Sequence, residues 1–282
     1  MCSADPNHPS WVDTAERLAD ARRRYGEVMT APGPDPSFAY YDAGVVGFVF
    51  GEMWARSGLT RKERRWVTLA CVAAAGATIP IQTHVYAALN SGDCSLEEMD
   101  EFGLHVATQL GWPKGQNINM CLIQAINQIA DEKGHSRRTP HVIPWAPPAD
   151  LTTRIERGQA SYEEIMLGPA PEGLTTFRQV GYFAYLYGEV WTRPGLTRKE
   201  RRIISICCAA HAEPTRELEG HLYSALASGD LTYGELQELV LHYAVYLGSL
   251  SGAQLDDALV AVAQRFQKEQ DARASGAVPS RR

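Results

Sequence analysis

The sequence of 282 residues has no C-x-x-C pair, no apolar run of membrane-spanning length and no excess of basic charge. Its six cysteines, Cys2, Cys71, Cys94, Cys121, Cys207 and Cys208, have no ligand-like spacing to histidine. Neither a disulfide framework nor a structural zinc site is signalled. Lys and Arg number 27 against 33 Asp and Glu, giving a net charge of -6. No broad basic field exists to grip phosphates, so nucleic acid is not an expected partner. No segment reaches the roughly 18 uninterrupted apolar residues of a membrane helix, and residues 1–11 are polar, without the apolar core of a secretory signal. The expectation is a soluble, cytoplasmic protein with no membrane partner. A glycine-rich phosphate loop and metal-spaced His and Glu sets are also missing, which leaves no signal for a bound nucleotide or metal.

What the sequence does contain is a repeat. "GLTRKERR" occurs at 58–65 and again at 195–202, and adding 137 to a residue number in the first half lands on its counterpart in the second. Of the fifteen positions 51–65, twelve are identical to 188–202. The offset holds through His84 and His221, Tyr86 and Tyr223, "SGD" at 91–93 and 228–230, His105 and His242, and Gly111 and Gly248. It reaches back to Arg17, Tyr25 and Met29, which match Arg154, Tyr162 and Met166. Self-similarity over so long a period predicts a duplicated domain rather than a solenoid of short repeats. The expected organisation is a first domain over 12–130, a proline-rich linker over 131–153, a second domain over 154–269 and a frayed tail over 270–282.

Each copy reads as nearly all helix. Thr60-x-x-Glu63, Ser95-x-x-Glu98, Thr197-x-x-Glu200 and Thr232-x-x-Glu235 are capping boxes that open helices. The run 203–210 is apolar on nearly every side, which suits a helix buried all round better than a central strand. Apolar residues at 236, 239, 240, 243, 244 and 247 have amphipathic helical spacing. Alternating strand patterns are absent, so the predicted fold class is all-α.

The stretch "GEVWTRPGLTRKER" at 188–201, followed by "GHLYSALASGD" and "LVLHYAVYLG", resembles the carboxymuconolactone decarboxylase family of the alkylhydroperoxidase D-like helical superfamily. The first copy resembles it through "GEMWARSGLTRKER", "THVYAALNSGD" and "LGWP". The resemblance implies two tandem helical domains, an association into rings of six domains, and therefore a homo-oligomer, either a trimer of this chain or a dimer. In the redox branch of the superfamily a C-x-x-C pair precedes a histidine. Placing His84 and His221 on that histidine puts Ala77 and Pro80, and Pro214 and Glu217, at the thiol positions. Peroxide reduction through a dithiol is thereby excluded.

The same placement makes Glu63 with His84, and Glu200 with His221, the candidate pairs for proton transfer. The simpler role for both glutamates is to close a helix end, and for both histidines to sit satisfied in a core. Arg56 and Arg193 are candidates to hold a substrate carboxylate bidentately. Arg64 and Arg201 belong to a basic cluster at a helix start, where cations oppose the helix dipole and so imply an anionic ligand or an acidic neighbour. Trp54 and Trp191 are candidate pocket walls, or packing. His105 and His242 read as core or supporting residues. The copies diverge at Gln109 against Tyr246 and at Trp112-Pro113 against Ser249-Leu250, which favours the second copy as the active one.

The resemblance implies a lyase that decarboxylates a lactone or related cyclic carboxylated metabolite through a dienolate. Such a substrate is its own electron sink, so no metal or organic cofactor is required. Lactone hydrolysis, a double-bond shift, and a non-catalytic binding or assembly role are the alternatives.

Overall fold

The computed structural model describes residues 14–34, 38–137, 146, 150–172, 175–213 and 215–275. Much of the expected linker, and the tail beyond 275, lie outside the described residues. No strand occurs among the described residues, and the chain is helical throughout, as the patterning predicts. It divides into two compact units, Met1–Ser57 and Gly58–Arg282.

In the first unit α1 (Thr14–Met29) packs on a wide π-helix (Tyr40–Met53). Arg17 pairs with Glu52 at 3.4 Å, and Tyr25 meets Phe50 edge-on at 4.6 Å.

The second unit holds two sets of four helices. The first is α2 (Arg61–Ala74), α3 (Thr78–Asn90), α4 (Leu96–Leu110) and α5 (Trp112–Lys133). Between the sets lie α6 (Leu151–Met166), a second π-helix (Phe177–Tyr187) and a short 3-10 turn (Val190–Thr192). The second set is α7 (Arg198–Ala212), α8 (Thr215–Ser228), α9 (Tyr233–Leu247) and α10 (Ser249–Ala274). The second set follows the first at the 137-residue offset. Even the joints correspond: Gly111 and Gly248, between α4 and α5 and between α9 and α10, have φ of 99° and 91°, a region that costs little only for glycine.

The central helices explain the apolar runs. Every residue from Arg64 to Ala74 in α2 and from Glu200 to Ala209 in α7 is buried. The two helices pack on each other, while α2 also meets α9 and α7 also meets α4. One apolar cluster runs through both sets, from Trp66 and Leu69 to Ile204 and Leu239. The 203–210 run is thus a helix enclosed on all sides. All four expected capping boxes form, each with a Ser or Thr side chain and a Glu reciprocally bonded to the opposite backbone N–H.

A smaller cluster joins α6 to the second π-helix through Tyr162, Ile165, Met166, Phe183, Tyr187 and Trp191. Gly158 permits this approach, since a Cβ there would lie 1.9 Å from the Phe183 carbonyl oxygen.

Candidate active site

The capping glutamates end the repeated octapeptide's first task and begin its second. Glu200 accepts from the Thr197 backbone N–H at 2.8 Å, from Trp66 Nε1 at 3.1 Å, and pairs with Lys62 at 3.0 Å. Glu63 accepts from the Thr60 backbone N–H at 2.7 Å and pairs with Lys199 at 2.6 Å. Each lysine therefore crosses to the other set's cap. Burial alone would raise both carboxyl pKa values; the bonds from Lys199 and Thr60, and from Thr197 and Lys62, reverse this and hold them below the ordinary range. Among the described residues no hydrogen bond joins Glu200 to His221 or Glu63 to His84. The members of each expected proton-transfer pair sit in separate networks, because the carboxylates are spent on caps and cross-set lysines.

The expected anion holders are also engaged. Arg193 forks onto Glu101 of α4 with contacts of 2.6, 2.9 and 3.0 Å. Buried Arg201 donates to the Arg193 carbonyl at 2.9 Å and meets Glu101 at 3.4 Å. Arg64 pairs with Glu238 of α9 at 3.0 Å and donates to His242 Nδ1 at 3.3 Å. The cations opposing the helix dipole thus face acids of the other set within the same chain. In the first unit Trp54 is buried and stacks on Phe50 with centroids 6.0 Å apart, and Arg56 is half-buried.

His221, on α8, is 3% exposed. Its Nδ1 lies 2.9 Å from Arg202 Nη1. A guanidinium can only donate, so Nδ1 accepts and the proton of the neutral ring resides on Nε2. Burial first, and then the Arg202 charge, hold the His221 pKa well below its usual 6.5. Arg202 is itself fixed by the Ile165 carbonyl at 2.6 Å and by Asp230 Oδ2 at 3.2 Å. Asp230 is the last residue of the second "SGD", and Asp93 of the first holds Arg65 at 3.1 Å in the same way. Sequence reasoning missed Arg202 and Asp230 as site residues, although both recur at the offset in quoted motifs.

Trp191 stacks on His221, with centroids 5.7 Å apart and planes 15° from parallel, and on Tyr187 at 6.1 Å and 2°. The Arg202 guanidinium lies 5.5 Å from its ring centroid, and His105 of α4 meets it edge-on at 5.3 Å. Trp191 is buried, and its Nε1–H has no hydrogen-bond partner among the described residues. The His221 Nε2–H likewise has no protein acceptor among them. A buried donor left unmet costs about 1–3 kcal/mol, so the Trp191 Nε1–H, on a ring stacked against His221, marks a place for an acceptor.

The corresponding place in the first set differs. His84 meets Tyr246 of α9 edge-on at 5.7 Å, and burial with the nearby Arg65 lowers its pKa to about 3. His242 bonds Thr68 Oγ1 at 2.9 Å, and His105 bonds Ser205 Oγ at 2.9 Å. Both are core histidines that bridge the helix sets. Among the described residues no group of three or more His, Cys, Asp or Glu gathers to hold a metal ion.

These features define a class: a helical protein with no described helix long and apolar enough to cross a membrane, and with buried neutral imidazoles fixed by arginine. Residues 40–118 match the model of the carboxymuconolactone decarboxylase family. The 4-carboxymuconolactone decarboxylase of Acinetobacter baylyi is 39% identical over 64 residues, 23% of this chain and 47% of that protein. The nitrosuccinic acid decarboxylase of Metarhizium robertsii is 39% identical over 67 residues, 24% of this chain and 46% of that protein. The chain spans about half the length of the curated relatives it matches.

Proposed function

We propose that the chain is a cofactor-independent carbon–carbon lyase of the decarboxylase kind. Its substrate is a small organic acid whose carboxylate sits on a carbon conjugated to an electron acceptor, a lactone carbonyl in the first instance. The observation that supports this reading is the buried Trp191 ring, stacked on the neutral His221 imidazole, with its Nε1–H left without a hydrogen-bond partner among the described residues. Both relatives are named for decarboxylations, one of a carboxylated lactone and one of a nitro acid. In either kind of compound the acceptor group can hold the electron pair that carbon dioxide leaves behind.

The carbon–carboxylate bond breaks, carbon dioxide departs, and the pair runs through the ring double bond onto the carbonyl oxygen as a dienolate. His221 and Trp191 donate to that oxygen, and water then protonates the carbon. A preset donor of this kind contributes about 3 kcal/mol to the barrier. A neutral imidazole suits the role, because it polarises the oxygen without first surrendering its proton.

In this reading the 137-residue offset records a tandem duplication, the second copy is active, and the His84 place is a diverged scaffold. The association is a trimer forming a six-domain ring, or a dimer, which light scattering distinguishes.

The test is incubation with 4-carboxymuconolactone, following carbon dioxide against total acid. Carbon dioxide release that falls about 100-fold in His221→Ala, and little in His84→Ala, is expected. Acid release without carbon dioxide would make the chain a lactone hydrolase, and a double-bond shift alone an isomerase. Saturable binding without turnover would make it a binding or assembly protein.

A further inference from the structure

A cleft of about 700 Å³ opens between α6, the second π-helix and the first turn of α8. One wall is aromatic. Exposed Phe177 meets Tyr182 at 6.1 Å, and Tyr182 meets Tyr162 at 5.8 Å. Both tyrosines then touch Tyr187, at 5.0 and 4.9 Å, and Tyr187 stacks on Trp191. The rings form a continuous chain of contacts from the cleft mouth to the buried candidate catalytic tryptophan.

At the floor lie Met166 and Gly220, the residue before His221. Met166 Sδ is 3.8 Å from Arg202 Nη1, the same nitrogen that holds His221. A Cβ on Gly220 would lie 2.7 Å from Met166 Cε. One flexible thioether therefore separates the cleft from the His221 site.

The charged lining is Arg178, Arg216, Arg265, Glu217 and Glu219, one positive charge in excess. Arg265 faces Glu219 at 3.5 Å, and Arg178 donates to the Glu172 carbonyl. Arg216 makes no hydrogen bond or ion pair among the described residues, and it lines the cleft together with Tyr162 and Tyr182. Clefts of about 300–1,000 Å³ take ligands well beyond one small ring.

We propose that this cleft is a specificity pocket for the planar, unsaturated tail of an organic acid, with Arg216 taking its charge and Met166 forming the partition toward His221. Aromatic walls favour a flat π-system over a saturated ring of the same size. A methionine is suited to the partition, because its unbranched chain yields to a ligand at small cost. That the tail belongs to the substrate rests on the decarboxylase reading above; that the cleft binds such an acid does not.

The probe is trans-cinnamate, titrated into the full-length protein carrying 13C-methyl methionine. The chain has six methionines, and Met166→Leu assigns the informative signal. The Met166 methyl is expected to shift saturably on cinnamate, with cinnamamide and 3-cyclohexylpropanoate each binding at least threefold more weakly. Arg216→Ala, at an exposed position, should weaken cinnamate about fivefold. His221→Ala should leave the affinity within twofold. No saturable Met166 shift, or an amide or saturated acid that binds as tightly as cinnamate, overturns the proposal. Cinnamate binding in a protein that decarboxylates nothing overturns the catalytic reading alone. Decarboxylation without cinnamate binding overturns the cleft alone.

Discussion

Acidification is the perturbation whose effect follows most directly from the buried imidazoles. His84, His105, His221 and His242 are all buried, and all have pKa values lowered from 6.5, His84 to about 3. For each, burial is the largest cause and a neighbouring arginine the next: Arg65, Arg201, Arg202 and Arg64 respectively. The unfolded chain then binds more protons than the folded one. Stability is complete well above pH 6.5 and is lost as pH falls through it toward the folded pKa values. One pH unit below 6.5 each histidine withdraws about 1.4 kcal/mol, so the four together withdraw about 5–6 kcal/mol. That rivals the whole stability of a typical domain, about 5–15 kcal/mol. Urea unfolding at pH 7.5, 6.5 and 5.5 measures it. The account expects a fall of about 1–1.5 kcal/mol between the first two and a further fall of about 4 kcal/mol at the last. A loss under about 1 kcal/mol between pH 6.5 and 5.5 would show that these rings accept protons in the folded state, and the site would be wrong.

Three substitutions test the networks separately. Arg202→Met keeps the packing but leaves the Ile165 carbonyl and His221 Nδ1 without a donor, at about 1–3 kcal/mol each; chemical denaturation should register a loss of about 2–6 kcal/mol, and a loss below 1 kcal/mol would contradict the network. Glu200→Gln weakens the cap and the Lys62 pair, lowering stability by about 1–2 kcal/mol, yet turnover should stay within about threefold; a collapse of turnover with intact folding would restore Glu200 as the partner of His221. Gly158→Ala forces a Cβ against the Phe183 carbonyl, and overpacking of this kind costs about 1–3 kcal/mol, read as a lower unfolding temperature.

The octapeptide shows what a sequence can and cannot disclose. Its Thr and Glu announced helix starts, and the caps formed where the three-residue spacing put them, because a capping box is a local device. The enclosed run 203–210 was legible from apolar residues on nearly every side, and the capping box placed the apolar run after Thr60 in a helix as well. The partners of the charged residues were not. Arg193 meets Glu101 92 residues away, and Arg64 meets Glu238 174 residues away. No local spacing encodes such choices; they follow from α2 crossing α9 and α7 crossing α4. The expected Glu–His pairs failed to meet hydrogen bond to hydrogen bond for the same reason, since the cross-set lysines reach the carboxylates first. What fixes His221 instead, Arg202 and Asp230, was present at both ends of the repeat, in the last Arg of "GLTRKERR" and the Asp of "SGD".

The most direct test of the central claim is the 15N chemical shift of the two ring nitrogens of His221 at pH 7, assigned with His221→Ala. The account predicts a neutral ring with the proton on Nε2 and a bare, accepting Nδ1, and Arg202→Met should release that preference. An imidazolium, or a proton on Nδ1, would contradict it.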